Sequence, residues 1–214
     1  MNTSRAYGWS TKAAPMSCGY IVPDVLDALR SLKPATVLDL GAGNGALCRE
    51  LVTAGYKVVG VEPDPDGIRI ARGQCPEVTF YQLTVGDSVD QILRDHPDGF
   101  DVVVSTEVIE HLYAPAQLIA FARAVLRDGG YLLLTTPHHG YWKNLAVSVF
   151  NGWDRHADPL RVGGHIKFFS RKTMGRLLSD GGFSVRRWGG VGRVPGLWKS
   201  MVVLATKNHC GNRK

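Results

Sequence analysis

An α/β fold, a mostly parallel β-sheet covered by helices on both faces, is the architecture this sequence predicts. Three observations point to it. Short apolar runs alternate with amphipathic stretches along most of the 214 residues, the rhythm of strand and crossover helix. The first apolar run opens into a turn with three glycines in five residues, GAGNG at 41–45, and then into a helical pattern. Two final apolar runs are separated by a loop too short for a crossover, which suits an antiparallel pair at the end of the chain.

Each element has local reasons. The strand candidates 36–40, 57–61, 78–83, 100–105 and 130–135 are short, apolar and bounded by Gly, Pro or Asp, the pattern of strands buried on both faces. Helical stretches at 46–54, 65–72, 88–95 and 115–127 lie between them. Pro65 and Pro115 stand in first helical turns, where no N–H is needed. After the fifth strand the rhythm breaks. Residues 136–169 carry aromatics, histidines and glycines instead of another strand and crossover, and form the candidate substrate-side insertion in what otherwise reads as one domain over 1–214. A helix over 170–179 follows, with Ser170 as its N-cap and Gly181 and Gly182 at its end. The closing pair is 183–188 and 200–206, joined by the glycine-rich GGVGRVPG.

Composition narrows the function. Lys plus Arg number 25 against 19 Asp plus Glu, a formal charge of +6, which favours anionic ligands, nucleic acid or lipid headgroups. The excess is scattered, however. Its densest spots are Arg186-Arg187 and Asn212-Arg213-Lys214, which read as solubilising surface rather than as a nucleic-acid patch. Cys18, Cys48, Cys75 and Cys210 lie far apart with no C-x-x-C pair, so free thiols in a reducing cytoplasm are expected. No apolar run has the length of a signal-peptide core or a membrane span. A cytoplasmic protein is the expectation, with peripheral contact to a membrane surface left open.

The glycine turn carries the first chemical information. A strand ending near Asp39, then Gly41, Gly43 and Gly45, then a helix, sets free backbone N–H groups and the positive helix end beside a surface that no β-carbon obstructs. The same residues satisfy G-x-G-x-x-G/A, the dinucleotide fingerprint. Glu62 ends the next strand 62 − 41 = 21 residues after the first glycine, where an acidic side chain can take two ribose hydroxyls. A nucleoside ligand follows; which nucleoside does not.

Two downstream stretches separate the choices. FDVVVSTEVIEHL at 100–112 and LRDGGYLLLTTP at 126–137 closely resemble the fourth- and fifth-strand motifs of class I S-adenosylmethionine-dependent methyltransferases. Within that superfamily EVIEH at 107–111, CGYI at 18–21 and HIKFFS at 165–170 are similar to the ubiquinone-biosynthesis O-methyltransferase family and its bacterial relatives, over roughly residues 16–185. The resemblance implies a Rossmann-like seven-stranded sheet, S-adenosylmethionine as cofactor and S-adenosylhomocysteine as its product. It also implies that Asp39, Gly41 and Gly43 line the methionine half, that Glu62 takes the ribose, that Leu83 or its neighbours flank the adenine and that Thr106 contacts the cofactor from the fourth strand. One departure stands at Ser17, where the family carries an arginine shortly before its G-Y-I. The implied reaction is methyl transfer to a small-molecule acceptor, foremost at a hydroxyl oxygen of a phenol, catechol or other metabolite. The rival readings are an NAD(P)-dependent Rossmann oxidoreductase and a nucleic-acid methyltransferase. Amino-methylating enzymes of the latter kind usually show an Asn/Asp/Ser-Pro-Pro-aromatic motif where this chain has Ser105-Thr106-Glu107.

A sulfonium methyl departs from a neutral thioether, so the protein has chiefly to align the acceptor and remove its proton. His111, His138, His139 and His165 are the candidate bases. If 107–111 forms a helical turn, Glu107, Glu110 and His111 stand at i, i+3 and i+4 on one face. Carboxylates with a neutral imidazole suit a divalent ion, Mg2+ or else manganese or zinc, which would lower the pKa of an acceptor hydroxyl. The resembled family implies the same set in those members that use a metal; the alternative is that the glutamates are helix-start charges that favour the dipole. In the insertion, Trp142, Leu145, Ala146, Val149 and Trp153 share a helical face opposite Lys143, Asn144, Ser148 and Asn151. That face reads as core packing, as a substrate lid or as a membrane-surface helix.

Overall fold

A seven-stranded sheet in the order β3-β2-β1-β4-β5-β7-β6 organises the molecule, in a computed structural model that describes residues 8–156, 160, 163–194 and 197–209. Strands β1 (Thr36–Leu40), β2 (Lys57–Val61), β3 (Thr79–Tyr81), β4 (Phe100–Thr106) and β5 (Leu126–Pro137) run parallel. Strand β7 (Ser200–Lys207) lies antiparallel between β5 and β6 (Phe183–Val191). Mixed topology of this kind places the expected antiparallel pair at one edge of an otherwise parallel sheet.

Successive strand residues feed two cores. Leu38, Val103, Leu132 and Leu134 pack on one face with Ile119, Met174 and Leu178. Val37, Val102, Val104 and Leu133 pack on the other with Val25, Leu29, Leu47, Leu51 and Ile68. This alternation is the pleat read twice, and it explains why the strands are continuous apolar runs. Helices α1 (Cys18–Leu32), α2 (Ala46–Thr53) and α3 (Pro65–Gln74) cover the second face; α5 (Pro115–Val125) and α8 (Arg171–Asp180) cover the first. A short α4 (Asp90–Asp95) precedes β4.

Several boundaries differ from the sequence expectation. Residues 18–32 form α1, to which the sequence reading assigned no element. Pro23 lies inside it, a residue that normally signals a break, yet Ile21, Val22, Val25, Ala28 and Leu29 form one buried face and tertiary burial outweighs the local cost. Strand β3 has three residues where six were expected. Helix α5 stops at Val125, because Leu126 is already extended and begins a β5 twice the expected length. Ser170 does cap α8: its hydroxyl accepts the Thr173 N–H at 3.2 Å and the Thr173 hydroxyl accepts the Ser170 N–H at 2.9 Å. Cys18, Cys48 and Cys75 are free thiols; Cys210 and the tail Asn212-Arg213-Lys214 lie outside the described residues.

Candidate active site

The chain steps outward from β1 to β2 and β3, then returns to place β4 on the other side of β1. Ligands bind at such a switch point, beyond the carboxyl ends of the strands. Five candidate segments meet there: the glycine turn, Glu62, Leu83, Thr106-Glu107 and the residues after Pro137.

The turn is fixed by backbone. Gly41, Gly43 and Gly45 have φ of +91°, +55° and +81°, values that only glycine adopts without strain. The N–H groups of Gly41 and Ala42 both donate to the Val61 carbonyl, at 2.8 and 2.9 Å. A β-carbon on Gly41 would stand 2.4 Å from Val108 Cγ2, and one on Gly45 would stand 2.9 Å from Ala71 Cβ. Glu62 ties the turn to the second crossover: Oε2 accepts the Gly43 N–H at 2.8 Å and Oε1 accepts the Asp64 N–H at 2.9 Å. Burial raises its pKa, an effect that these two N–H donors oppose. Asp39 is buried in β1 and one of its carboxylate oxygens accepts the Cys48 thiol at 3.2 Å. Burial lifts its pKa to about 7, with the Glu62 charge adding to the rise. Leu83 is half-buried beyond β3 and Thr106 half-buried at the end of β4. A glycine cradle with no β-carbons, flanked by a buried carboxylate already aligned by two N–H groups, fits a nucleoside with a free ribose.

Beyond β4 the structure departs from the expected helical face. Glu107 adopts φ of +54°, rare for a residue with a β-carbon, and only a 3-10 turn, Ile109–His111, follows. With no α-helical turn, positions 107, 110 and 111 do not share a face. Glu107 instead turns to β5, where its Oε1 accepts the Thr135 hydroxyl at 2.9 Å. Lys143 attracts it electrostatically. Burial raises the pKa of both Glu107 and Tyr20, and the nearby buried Ser200 hydroxyl opposes that rise in each without reversing it.

Among the described residues the ligand-type atoms that lie within 4.8 Å of one another are those of Glu110, His111 and His165, whereas the sequence expectation grouped Glu107, Glu110 and His111. The insertion is stitched to the 3-10 turn here, since the Glu110 carbonyl accepts the N–H groups of both Ile166 and Lys167, at 2.9 and 3.0 Å. The Glu110 side chain is wholly buried; Oε2 accepts the Thr136 hydroxyl at 3.1 Å, while Oε1 has no hydrogen-bond partner among the described residues. Burial, and then the Glu107 charge, push its pKa up to about 8. His111 Nδ1 lies 3.1 Å from the Gly164 carbonyl, which can only accept, so Nδ1 carries a proton, and Nε2 lies 3.9 Å from Glu110 Oε1. The His165 ring meets the His111 ring edge-on at 5.0 Å.

His138 and His139 leave β5 in different directions. His138 packs edge-on to Trp198 at 5.6 Å, and burial with the Lys143 and Arg171 charges lowers its pKa. His139 packs edge-on to Phe168 at 4.7 Å. Neither joins the Glu110 cluster among the described residues. Helices α6 (Tyr141–Val149) and α7 (Trp153–His156) then follow. Leu145, Val149 and Trp153 are exposed by 42%, 67% and 41%, which overturns the core-packed reading for those three; the Trp142 and His156 side chains lie outside the described residues. Tyr20, Thr135, Lys143 and Ser200 are site residues that sequence reasoning missed, because they come from four elements with no shared spacing.

A sheet of this order with a glycine turn and an aligned acid at its switch point defines a Rossmann-like nucleoside-binding protein. The chain belongs to the methyltransferase-domain family, whose profile matches residues 18–187, and it is an S-adenosylmethionine-dependent methyltransferase. That sets aside the oxidoreductase reading. It is 24% identical to a ubiquinone biosynthesis O-methyltransferase of Hydrogenovibrio crunogenus, over 78% of this chain and 70% of the relative. It is 29% identical to the mitochondrial protein of that name from Rattus norvegicus, over 80% of this chain but only 51% of the longer relative. The fold is similar to that of magnesium protoporphyrin IX methyltransferase from Synechocystis PCC 6803 with bound S-adenosylhomocysteine, with a TM-score of 0.66 at 17% identity over 88% of this chain and 82% of that one. No helix among the described residues is long and apolar enough to cross a membrane.

Proposed function

We propose that the protein methylates a hydroxyl oxygen of a small molecule, of phenol or catechol type. The observation that carries this reading is the cluster of buried Glu110, half-buried His111 and exposed His165 just beyond the carboxyl end of β4, a set able to accept a proton. The curated relatives quoted above, which are named O-methyltransferases, add support. When bound, S-adenosylmethionine supplies an activated methyl group; Gly41, Gly43 and Glu62 hold its nucleoside and methionine parts, with Asp39, Leu83 and Thr106 around them. The residues of this chain then orient the acceptor and accept its proton. His111, oriented by its Nδ1 contact to the Gly164 carbonyl, or the adjacent His165 takes that role. The segment 136–169 covers the acceptor, with His138 and His139 lining its entrance. A charge that is scattered and the absence of a Pro-Pro-aromatic motif favour a small molecule over nucleic acid.

The same cluster fits a divalent ion. Glu110 Oε1 is a buried oxygen without a partner among the described residues, and two imidazoles with one carboxylate suit zinc or manganese better than Mg2+. An ion held by Glu110, His111 and His165 would lower the acceptor hydroxyl pKa. The test is S-adenosylhomocysteine formation over a panel of phenols, catechols, amines and thiols, before and after exhaustive chelation. Turnover of hydroxyl acceptors lost in His165→Gln is the expected result; turnover only of amines or thiols would refute the hydroxyl reading. Full activity after chelation would refute the metal alone.

A further inference from the structure

Positive charge that is scattered along the sequence is gathered by the fold beyond the carboxyl end of β5. Lys143 comes from α6, Arg171 from the start of α8, and Arg193 and Lys199 from the connection between β6 and β7. Lys143 Nζ donates to the His138 carbonyl at 3.1 Å, and the His138 N–H donates to the Lys199 carbonyl at 2.8 Å. The Arg171 guanidinium lies over two indoles, 5.7 Å from the Trp198 ring and 6.0 Å from the Trp188 ring. Trp198, which also meets His138, is seated on Gly190, where a β-carbon would collide with its ring. The floor between Lys143 and Arg171 is therefore set by backbone. It adjoins the reacting side, because His138 follows shortly after Thr135 and Thr136, the partners of Glu107 and Glu110.

These cations are not balanced as others in the protein are. Arg127 pairs with Asp101 at 2.7 Å, Arg187 with Asp24 at 3.5 Å and Lys207 with Asp128 at 3.5 Å, whereas none of the four is ion-paired among the described residues. Lys143 is half-buried, and burial and then the Arg193 charge lower its pKa, against the attraction of Glu107. Arg171 and Lys172 moreover occupy the first turn of α8, which holds no acidic residue. The helix dipole opposes cations at that end. Like charges that face one another at a positive helix end are unfavourable by themselves, and a bound anion turns the same arrangement into attraction. The guanidinium offers a planar fork and the lysine a mobile point charge, a combination that suits the oxygens of a phosphate.

We propose that Lys143 and Arg171, with Arg193 and Lys199 around them, form a subsite for an anionic group of the methyl acceptor, a phosphate ester. Four cations set against the single attracting carboxylate of Glu107 match a dianion better than a singly charged carboxylate. The proposal rests on the reading of this face as the acceptor side. Such an anchor decides which acceptors bind and leaves the methyl-transfer step to the residues beyond β4.

Calorimetry on the full chain loaded with S-adenosylhomocysteine tests this, with phenyl phosphate, benzoate and benzyl alcohol as probes. Phenyl phosphate should bind the native protein at least about tenfold more tightly than benzyl alcohol, with benzoate between them. Arg171→Gln and Lys143→Gln should each weaken phenyl phosphate by about tenfold while leaving benzyl alcohol and S-adenosylhomocysteine unaffected, and Arg171→Lys should recover part of the loss. Phenyl phosphate should also inhibit competitively against any hydroxyl acceptor that turns over. No preference among the probes, tightest binding of benzoate, equal affinity in both Gln variants or non-competitive inhibition would overturn the subsite. Binding of phosphatidylglycerol vesicles or of a single-stranded oligonucleotide that these variants abolish, with no binding of phenyl phosphate, would overturn it too, since the cations would then serve a lipid or nucleic-acid surface. The expected probe binding in a protein that methylates no hydroxyl acceptor would instead sink the proposed function and leave the anion site standing.

Discussion

The two halves of the site are built from different materials. On the cofactor side, Gly41, Gly43, Gly45, Glu62 and Asp39 are held by backbone hydrogen bonds and by contacts under 3 Å that leave no room for a β-carbon. On the proposed acceptor side, α6 carries exposed aromatic and aliphatic side chains, Tyr141 at 72% and Val149 at 67%. The first half recognises an invariant part of the cofactor and has one geometry to satisfy. The second, in the function proposed above, would meet an acceptor through apolar surface, whose demands are loose until the acceptor is there. Perturbing the first half should therefore register in cofactor binding, and perturbing the second should register in acceptor kinetics alone.

The largest expected effect is Gly41→Val. The new β-carbon would occupy the place of Val108 Cγ2 and the residue would be forced to φ of +91°, so the turn must rearrange. Affinity for S-adenosylhomocysteine should fall by at least about a hundredfold, because strained backbone and lost contacts add. Near-native affinity by calorimetry would mean that the turn is pliable and that the contrast between the halves is overstated.

Next in size is a pH effect on stability. Asp39 has a folded pKa of about 7 against an ordinary 3.8, so the folded protein holds this proton more tightly than the unfolded chain. Its contribution is complete below about pH 4 and is lost as pH rises through 7, by about 4 kcal/mol at most. Asp39→Asn keeps a neutral acceptor for the Cys48 thiol and should flatten the urea-denaturation profile between pH 4 and 7. An unaltered profile would show that Asp39 ionises freely in the folded state.

Glu62→Ala should cost roughly 1–3 kcal/mol of cofactor binding, about a 5- to 150-fold weaker affinity. Part of that cost arises because the Gly43 and Asp64 N–H groups lose their acceptor along with the ribose. Glu62→Gln, which retains one acceptor oxygen, should recover part of it. Equal losses in both variants would mean that charge, not alignment, is what Glu62 supplies.

The same contrast explains what the sequence made legible. The turn at Gly41 and Gly43 and the place of Glu62 beside it could be read because they follow from local backbone chemistry at fixed spacing. Strands β1 and β2 were found with the right ends for the same reason, their apolar runs being bounded by turn residues. The 107–111 stretch misled: i, i+3 and i+4 imply a shared face only on an α-helix, and the left-handed Glu107 followed by a 3-10 turn removes that premise. His165 was legible as a candidate, but not its partner, since the pairing with His111 depends on two backbone bonds to the Glu110 carbonyl across more than fifty positions of chain. Trp9 left no pattern at all; a lone aromatic ahead of the first element has no period, and only its contact with Gly43 and Gly67 gives it meaning. Helix α1 was hidden by Pro23, whose local cost the buried face outweighs.

The smallest effects belong to the outer face of α6. Val149 and its neighbour Phe150 are exposed by 67% and 82%, so neither contributes core burial that a substitution could remove. Val149→Ser and Phe150→Ser should change stability by no more than about 0.5 kcal/mol, as surface substitutions do. Cofactor affinity should not change either, since no contact of the glycine turn involves them. What should move is the acceptor KM, upward by a few fold at most, because an acceptor covers each side chain only in part, and apolar area of about one CH2 is worth about 0.8 kcal/mol. The turnover number should stay near native, for uniform loss of acceptor binding leaves the chemical step untouched. A drop in thermal midpoint without any change in KM would show that this face is covered in solution by something other than the acceptor, and the division of the site into a rigid half and an accommodating half would need redrawing.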